Sequence, residues 1–509
     1  MDIQIGKFTL ESLTTGMYSE PESCYREYIQ NAVDSIDVAI NKGILREEDC
    51  RIEIIVDNER RSISVKDNGT GIQKALARNT LLDIGNSTKT HTSNRGFRGI
   101  GRLGGLSYCE KLSFCTTAPG ENEKTIITFD CVKLRELLVP GQHTDHNLQS
   151  VLDTVTDVKT MPEQASAHYF IVKMENVDDI TSLLDFDTVK SYISQVAPVP
   201  FLDRFFWGKQ IKEHIREAGY TIPEYPIFIG ESFESLTQLF KPYKLTLDTS
   251  SRAGVSKDEI FGISFVDLKG SDGKPIAYGW YADTGFAGTL VDERISGIRA
   301  RQGNILIGGG KTLSPYFKES RFNAWSMGEI YVTAGALIPN ARRDDFEKND
   351  AFSDFTVGFR STMGTTICEK IRIASKARNN PAQKALTNAA KIIAKTENIL
   401  TSGFNSTHEK EELADTLEAT RKNLYTIPKN APAEVLAQKA TIMERLTELS
   451  TDVAASSNYK AKKDITSKFS KSEKKVVQAM MEVLTRNFER ATVDSLYKEF
   501  LEELKLGGK

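Results

Sequence analysis

Between Tyr25 and Ile40 the apolar residues Tyr25, Tyr28, Ile29, Ala32, Ile36, Ala39 and Ile40 return at helical spacing. Glu27, Asn31 and Asp34 stand four and three residues apart on another side. The pattern predicts an amphipathic helix with acid, amide and acid on one stripe. Alternation then replaces helical spacing: residues 51–57 (RIEIIVD) and 62–66 (SISVK) predict two strands joined by a polar turn. The second strand runs into Asp67-Asn68-Gly69-Thr70-Gly71-Ile72. Ala75, Leu76, Leu81 and Leu82 predict a short helix, followed by a polar stretch containing Ser87, Thr88 and Lys89 that suits a lid. Gly96-Phe97-Arg98-Gly99-Ile100-Gly101-Arg102-Leu103-Gly104-Gly105 comes next, ahead of a helix start. Strands are predicted to resume at 112–117, 125–130 and 168–175, while 140–167 reads as an irregular insertion.

Ala-Pro-Val-Pro at 197–200 marks a boundary, and strand signals continue at 260–268, 276–282, 298–307 and 328–332. Beyond these, Leu386, Ala389, Ile393 and Leu400, then Val477, Met480, Leu484 and Phe488, repeat at helical spacing. Ile442, Leu446, Leu449 and Val453 form a run too short for a long coiled coil, so a helical bundle is expected. The divisions expected are 1–185, 186–350 and 351–509. The fold class expected is α/β for the first two parts and all-helical for the last.

A length of 509 residues accommodates about three cores. The formal charge of -3 argues against a globally basic nucleic-acid binder. Six cysteines without a Cys-x-x-Cys pair suggest free thiols rather than zinc or disulfides. No apolar run reaches membrane-spanning length and no signal-peptide pattern is seen, so a cytoplasmic protein without membrane partners is expected.

Taken singly, each motif has a plain reading: a solvated helix face, a turn, a glycine loop. Their order gives them chemical sense. An acid, an amide and an acid on one stripe can activate water, ligate a metal and support a site. A carboxylate at a strand end, as at Asp67, can accept from the exocyclic amine of a purine, and Gly69 and Gly71 let backbone approach the ring. Clustered glycines before a helix suit a phosphate cradle. Gly99 to Gly104 also fits G-x-G-x-x-G, yet polar residues rather than a strand precede it, so a dinucleotide fold is rejected. Gly308-Gly309-Gly310-Lys311-Thr312 lacks the first glycine of a P-loop, since Ile305 stands there.

The ordered set resembles the GHKL ATPases, the superfamily of DNA gyrase, heat-shock protein 90, sensor histidine kinases and MutL. Met17-Tyr18-Ser19 through Arg26-Glu27 to Asn31-Ala32 and Asp34 is most similar to the heat-shock protein 90 branch, and Gly96-Phe97-Arg98-Gly99 to MutL. The likeness is strong over about 120 residues, weak in the middle and absent from the last third. It implies a Bergerat-type α/β sandwich binding ATP and Mg2+, followed by a transducer-like middle domain. It further implies Glu27 as general base, Asn31 as magnesium ligand, Asp67 on the adenine amine and Asp34 in support. Gly69, Gly71 and Ile72 would lie by the base, with Gly99, Ile100, Gly101 and Gly104 around the phosphates and Ser87, Thr88 and Lys89 in the lid.

One amide plus phosphate oxygens suffices for magnesium, which keeps several waters. Hydrolysis also needs a cation against the developing phosphoryl charge, and the first domain offers no obvious one. The resemblance implies that it comes from the next domain. Leu337 to Phe346 looks similar to the segment that carries it, and spacing to Phe346 selects Arg343, with Arg342, Arg301 and Lys311 as substitutes. The expected function is an ATP-driven clamp of heat-shock protein 90 or MORC type, a homodimer acting on a protein client. The alternative is an ATP-gated DNA clamp, supported by the lysines from Lys460 to Lys475. A histidine kinase is disfavoured because no histidine precedes His91.

Overall fold

In a computed structural model the chain is described over residues 6–9, 20–83, 101–139, 147–178, 182–251, 254–333, 335–379, 381–460 and 470–506. The stripe-bearing segment is helix α1 (Ser23–Asn41), with Tyr25, Tyr28, Ile29, Ala32 and Ile36 buried, as its periodicity requires. It lies on a mixed eight-stranded sheet. In chain order the strands are β1 (Ile52–Asp57), β2 (Ser62–Asp67), β3 (Cys109–Thr117), β4 (Glu123–Asp130), β5 (Thr156–Pro162), β6 (Tyr169–Val177), β7 (Ile227–Gly230) and β8 (Thr237–Gln238). In space they run β5-β4-β3-β6-β2-β1-β7-β8, antiparallel throughout except for β1 beside β7. Helices α2 (Lys74–Leu82), α3 (Cys131–Leu137), α4 (Leu148–Val155) and α5 (Phe186–Val196) accompany them.

The insertion expected to be irregular, 140–167, therefore holds a helix and an edge strand. Leu148, Val151, Leu152 and Val155 do follow helical spacing, so α4 was legible. β5 was not, because it is exposed along nearly its whole length and shows no alternation of apolar and polar residues. The first core also reaches past position 185, taking in Val189, Ile193, Ile227, Ile229 and Leu239.

After α6 (Trp207–Glu217) comes a second set of strands: β9 (Thr246–Ser251), β10 (Gly254–Glu259), β11 (Gly262–Lys269), β12 (Pro275–Asp283), β13 (Thr289–Leu290), β14 (Gly297–Gln302), β15 (Ile305–Ile307) and β16 (Met327–Val332). Five of them form a mixed sheet, β11-β12-β16-β14-β15, and three a small one, β10-β9-β13. The single strand expected over 298–307 is a hairpin, turned at Gly303 and Asn304, both with positive φ. Helices α7 (Asp350–Phe359) and α8 (Thr365–Asn379) lend Phe352, Phe355, Phe359, Ile367 and Ile371 to the core of this sheet. The remainder is helical: α9 (Pro381–Ser402), α10 (Thr407–Tyr425), α11 (Ala433–Ala455), α12 (Lys471–Asn487) and α13 (Arg490–Leu506). Among the described residues no helix is long and apolar enough to cross a membrane.

Candidate nucleotide site

Three elements meet along α1, two of them at Ser35 and at Glu27. The first is α1 itself, which presents Glu27, Asn31 one turn on, and Asp34 and Ser35 about two turns on. The second is the turn after β2. Asp67, almost fully buried, accepts the Gly69 N–H at 2.9 Å, and Ser35 Oγ accepts the Thr70 N–H at 3.0 Å. A Cβ added at Gly69 would come within 2.7 Å of the Ser35 carbonyl carbon, so only glycine lets the turn lie on the helix. Gly71 has φ +58°, and a Cβ there would lie 2.8 Å from the Thr117 carbonyl carbon. The Ile72 N–H donates to Thr116 Oγ1 at 2.8 Å, and that hydroxyl donates to the Tyr169 carbonyl at 3.0 Å. His168 Nδ1 lies 2.8 Å from the Gly69 carbonyl, which can only accept, so this nitrogen carries the hydrogen.

The third element is the glycine segment. A Cβ on Gly101 would overlap the Glu27 carboxylate, lying 3.0 Å from Cδ, and one on Gly104 would stand 3.5 Å from the Cys24 Cβ. Gly101 and Gly104 thus pack against successive turns of α1. Gly99 and Ile100 lie outside the described residues, as do Ser87, Thr88 and Lys89.

A fourth contributor comes from the loop that follows β16. Arg343 Nε lies 3.6 Å from Glu27 Oε1, and Arg26 Nε lies 3.7 Å from the same oxygen. Arg26 Nη2 donates to the Arg342 carbonyl at 2.9 Å, which ties the helix to the loop. Arg343 is buried with φ +56°, a strained conformation for a side-chain-bearing residue. Of the substitutes named from sequence, Arg342 and Lys311 are exposed, and Arg301 is buried in an ion pair with Glu329.

Among the described residues Glu27 Oε1 has no hydrogen-bond partner although it is buried. A buried carboxylate oxygen whose nearest cations stand at 3.6 and 3.7 Å fits a site completed by a donor such as water. Among the described residues no group of three or more His, Cys, Asp or Glu could cage a metal. Asn31 on α1 could give a magnesium ion one amide oxygen, with phosphate oxygens and water in its other positions. Sequence reasoning missed Arg26, Ser35, Thr116 and His168. Ser35 stands four residues after Asn31 and was readable from spacing, whereas Thr116 and His168 carry no local signal. Of the lysine run, Lys460 pairs with Asp494 at 2.7 Å, Lys471, Lys474 and Lys475 are exposed, and Lys462, Lys463 and Lys468 lie outside the described residues.

Residues 18–155 match the family model described as histidine kinase-, DNA gyrase B-, and HSP90-like ATPase. The chain is 29% identical over 136 residues to the chaperone protein HtpG of Mycolicibacterium gilvum (strain PYR-GCK). It is 28% identical over 136 residues to HtpG of Rhodococcus jostii (strain RHA1). Each match covers 23% of this chain and 21% of the relative, so the likeness reaches about a fifth of the chaperone. By this match and by its mixed sheet, the N-terminal part of the chain is a GHKL-type ATPase domain of the heat-shock protein 90-like kind.

Proposed function

We propose that this protein binds ATP with Mg2+ and hydrolyses it, using closure around the nucleotide to act on a protein client. The observation that carries the reading is that α1 meets the Asp67 turn at Ser35 and, about two turns earlier, the glycine segment and Arg343 at Glu27. In this reading Asp67 receives the adenine amine, and Gly69, Gly71 and Ile72 lie by the base. Asn31 supplies an oxygen to magnesium and Asp34 supports the pocket wall. Gly99, Ile100, Gly101 and Gly104 face the phosphates, and Ser87, Thr88 and Lys89 close over them.

Bound magnesium would offset phosphate charge. Glu27 orients water and accepts its proton, and Arg343 balances charge on the transferred phosphoryl group. Both act across the junction of the two sheets, so hydrolysis is coupled to how those sheets sit together. The relatives are named as chaperones, which supports a protein client; the arrangement proposed here is a homodimeric, cytoplasmic clamp.

Two substitutions test the roles. Asp67→Asn should abolish binding of a fluorescent ATP analogue, while Glu27→Ala should keep binding and lose about a hundredfold or more in phosphate release. Wild-type turnover in Glu27→Ala would refute the assignment. Crosslinking with and without a non-hydrolysable analogue reads the closure and the dimer.

A further inference from the structure

The middle sheet buries an ion cluster that the nucleotide site does not use. Glu329 on β16, Arg301 on β14 and Lys241, between β8 and β9, are all buried. Lys241 Nζ donates to both Glu329 oxygens, at 2.9 and 2.8 Å, and to Asn304 Oδ1 at 2.8 Å. Arg301 Nε and the Tyr331 hydroxyl donate to the same carboxylate. Removing such charges from water costs several kcal/mol per ion, so the cluster is weak evidence of added stability. What its directional bonds do supply is fixed geometry among the segments they join.

Two arms leave it. In one, Arg301 Nη2 donates to the Gln195 carbonyl at 2.7 Å, in the last turn of α5. That helix packs on α1. In the other, Arg301 Nη1 donates to the Asn304 carbonyl at 2.9 Å, at the turn of the β14–β15 hairpin. Asn304 Nδ2 in turn donates to the Pro223 carbonyl at 2.7 Å, just before β7 joins the first sheet. From the turn, β15 runs directly to Gly308, whose N–H donates to the Arg343 carbonyl at 2.7 Å. One arm therefore ends on the helix that carries Glu27 and the other on the backbone of Arg343.

We infer that Glu329, held by Arg301 and Lys241, is a positioning residue that sets the approach of Arg343 to Glu27, 3.6 Å in this arrangement. The inference rests on the hydrolytic roles proposed for that pair. Glu329 then governs turnover and leaves nucleotide binding alone, because Asp67 and its glycines are held by Ser35, Thr116 and His168.

The test uses the full chain with Glu329→Gln, Arg343→Ala and the double variant, each checked for folding by thermal melting. Folded Glu329→Gln should lose about tenfold to a hundredfold in kcat, the scale of a displacement near 1 Å, with ATP affinity changed less than about twofold. In the Arg343→Ala background the same change should cost nothing more, since both act through one contact. Should Glu329→Gln not fold, Lys241→Met keeps the Arg301–Glu329 pair and enters the same cycle. Additive losses, or full turnover in a folded Glu329→Gln or Lys241→Met protein, would overturn the positioning role alone. Full turnover in Arg343→Ala would instead remove the reading beneath it, and this inference too.

Discussion

Gly101→Ala puts one methyl group where the Glu27 carboxylate now lies. The added carbon would overlap Oε2 and stand 3.0 Å from Cδ and 3.2 Å from Cβ of Glu27. Ordinary contact between such atoms begins near about 3.4 Å, so the carboxylate must withdraw by roughly 1 Å. The obstructed atoms belong to a side chain, and Gly101 does not have positive φ, so the fold need not be disturbed. Misplacement of a catalytic group by about 1 Å costs on the order of a hundredfold in rate. Gly101→Ala should therefore melt within about 2 °C of wild type and bind an ATP analogue, yet turn over roughly a hundredfold more slowly. Measuring kcat by phosphate release and affinity by calorimetry separates the two effects. Unchanged kcat in Gly101→Ala would mean that the carboxylate beside the glycine segment does not perform the chemistry, and the whole role assignment would fail.

Gly71→Ala confronts backbone instead of a movable side chain, at φ +58°. It should cost about 2 kcal/mol or more in urea unfolding and abolish nucleotide binding; a stable, binding variant would contradict the turn geometry. Thr116→Val removes the acceptor for the Ile72 N–H, which should cost about 1–3 kcal/mol and weaken nucleotide affinity, readable by titration calorimetry. For Glu329, burial raises the carboxyl, but Arg301 and Lys241 together outweigh it and hold it at about 2 against an ordinary 4.5. The unfolded chain thus takes up this proton first, so the stabilising share is full above about 4.5 and drains as pH falls toward 2. Urea unfolding at pH 5, 4 and 3 should show the loss in wild type and a flatter profile in Glu329→Gln.

The helix stripe was legible because 3.6-residue spacing is a local property: Glu27, Asn31 and Asp34 announce their shared face without any tertiary information. The glycines were legible as flexible or close-packed positions, but not their partners, since nothing in Gly101 names Glu27 or in Gly69 names Ser35. β7 went unseen for two reasons. It has only four residues, too few to show a period, and its parallel pairing with β1 spans some 170 residues of intervening chain. The 298–307 segment was read as one strand because β14 alternates Ile298, Arg299, Ala300 and Arg301 and runs on into the apolar β15, while the turn is marked only by Gly303 and Asn304. The buried Glu329 cluster had no local signal at all: its members come from three separate stretches, and each charge alone looks like surface.

The position of β7 bears on how this protein can be divided. Ile227 to Gly230 cover the flank of β1, so a fragment ending at 155 or 185 would leave a run of bare amides and carbonyls along Ile52–Ile55. Such a fragment invites edge-to-edge aggregation. An autonomous nucleotide-binding unit must extend to about residue 240, well beyond the region that its kinship marks out.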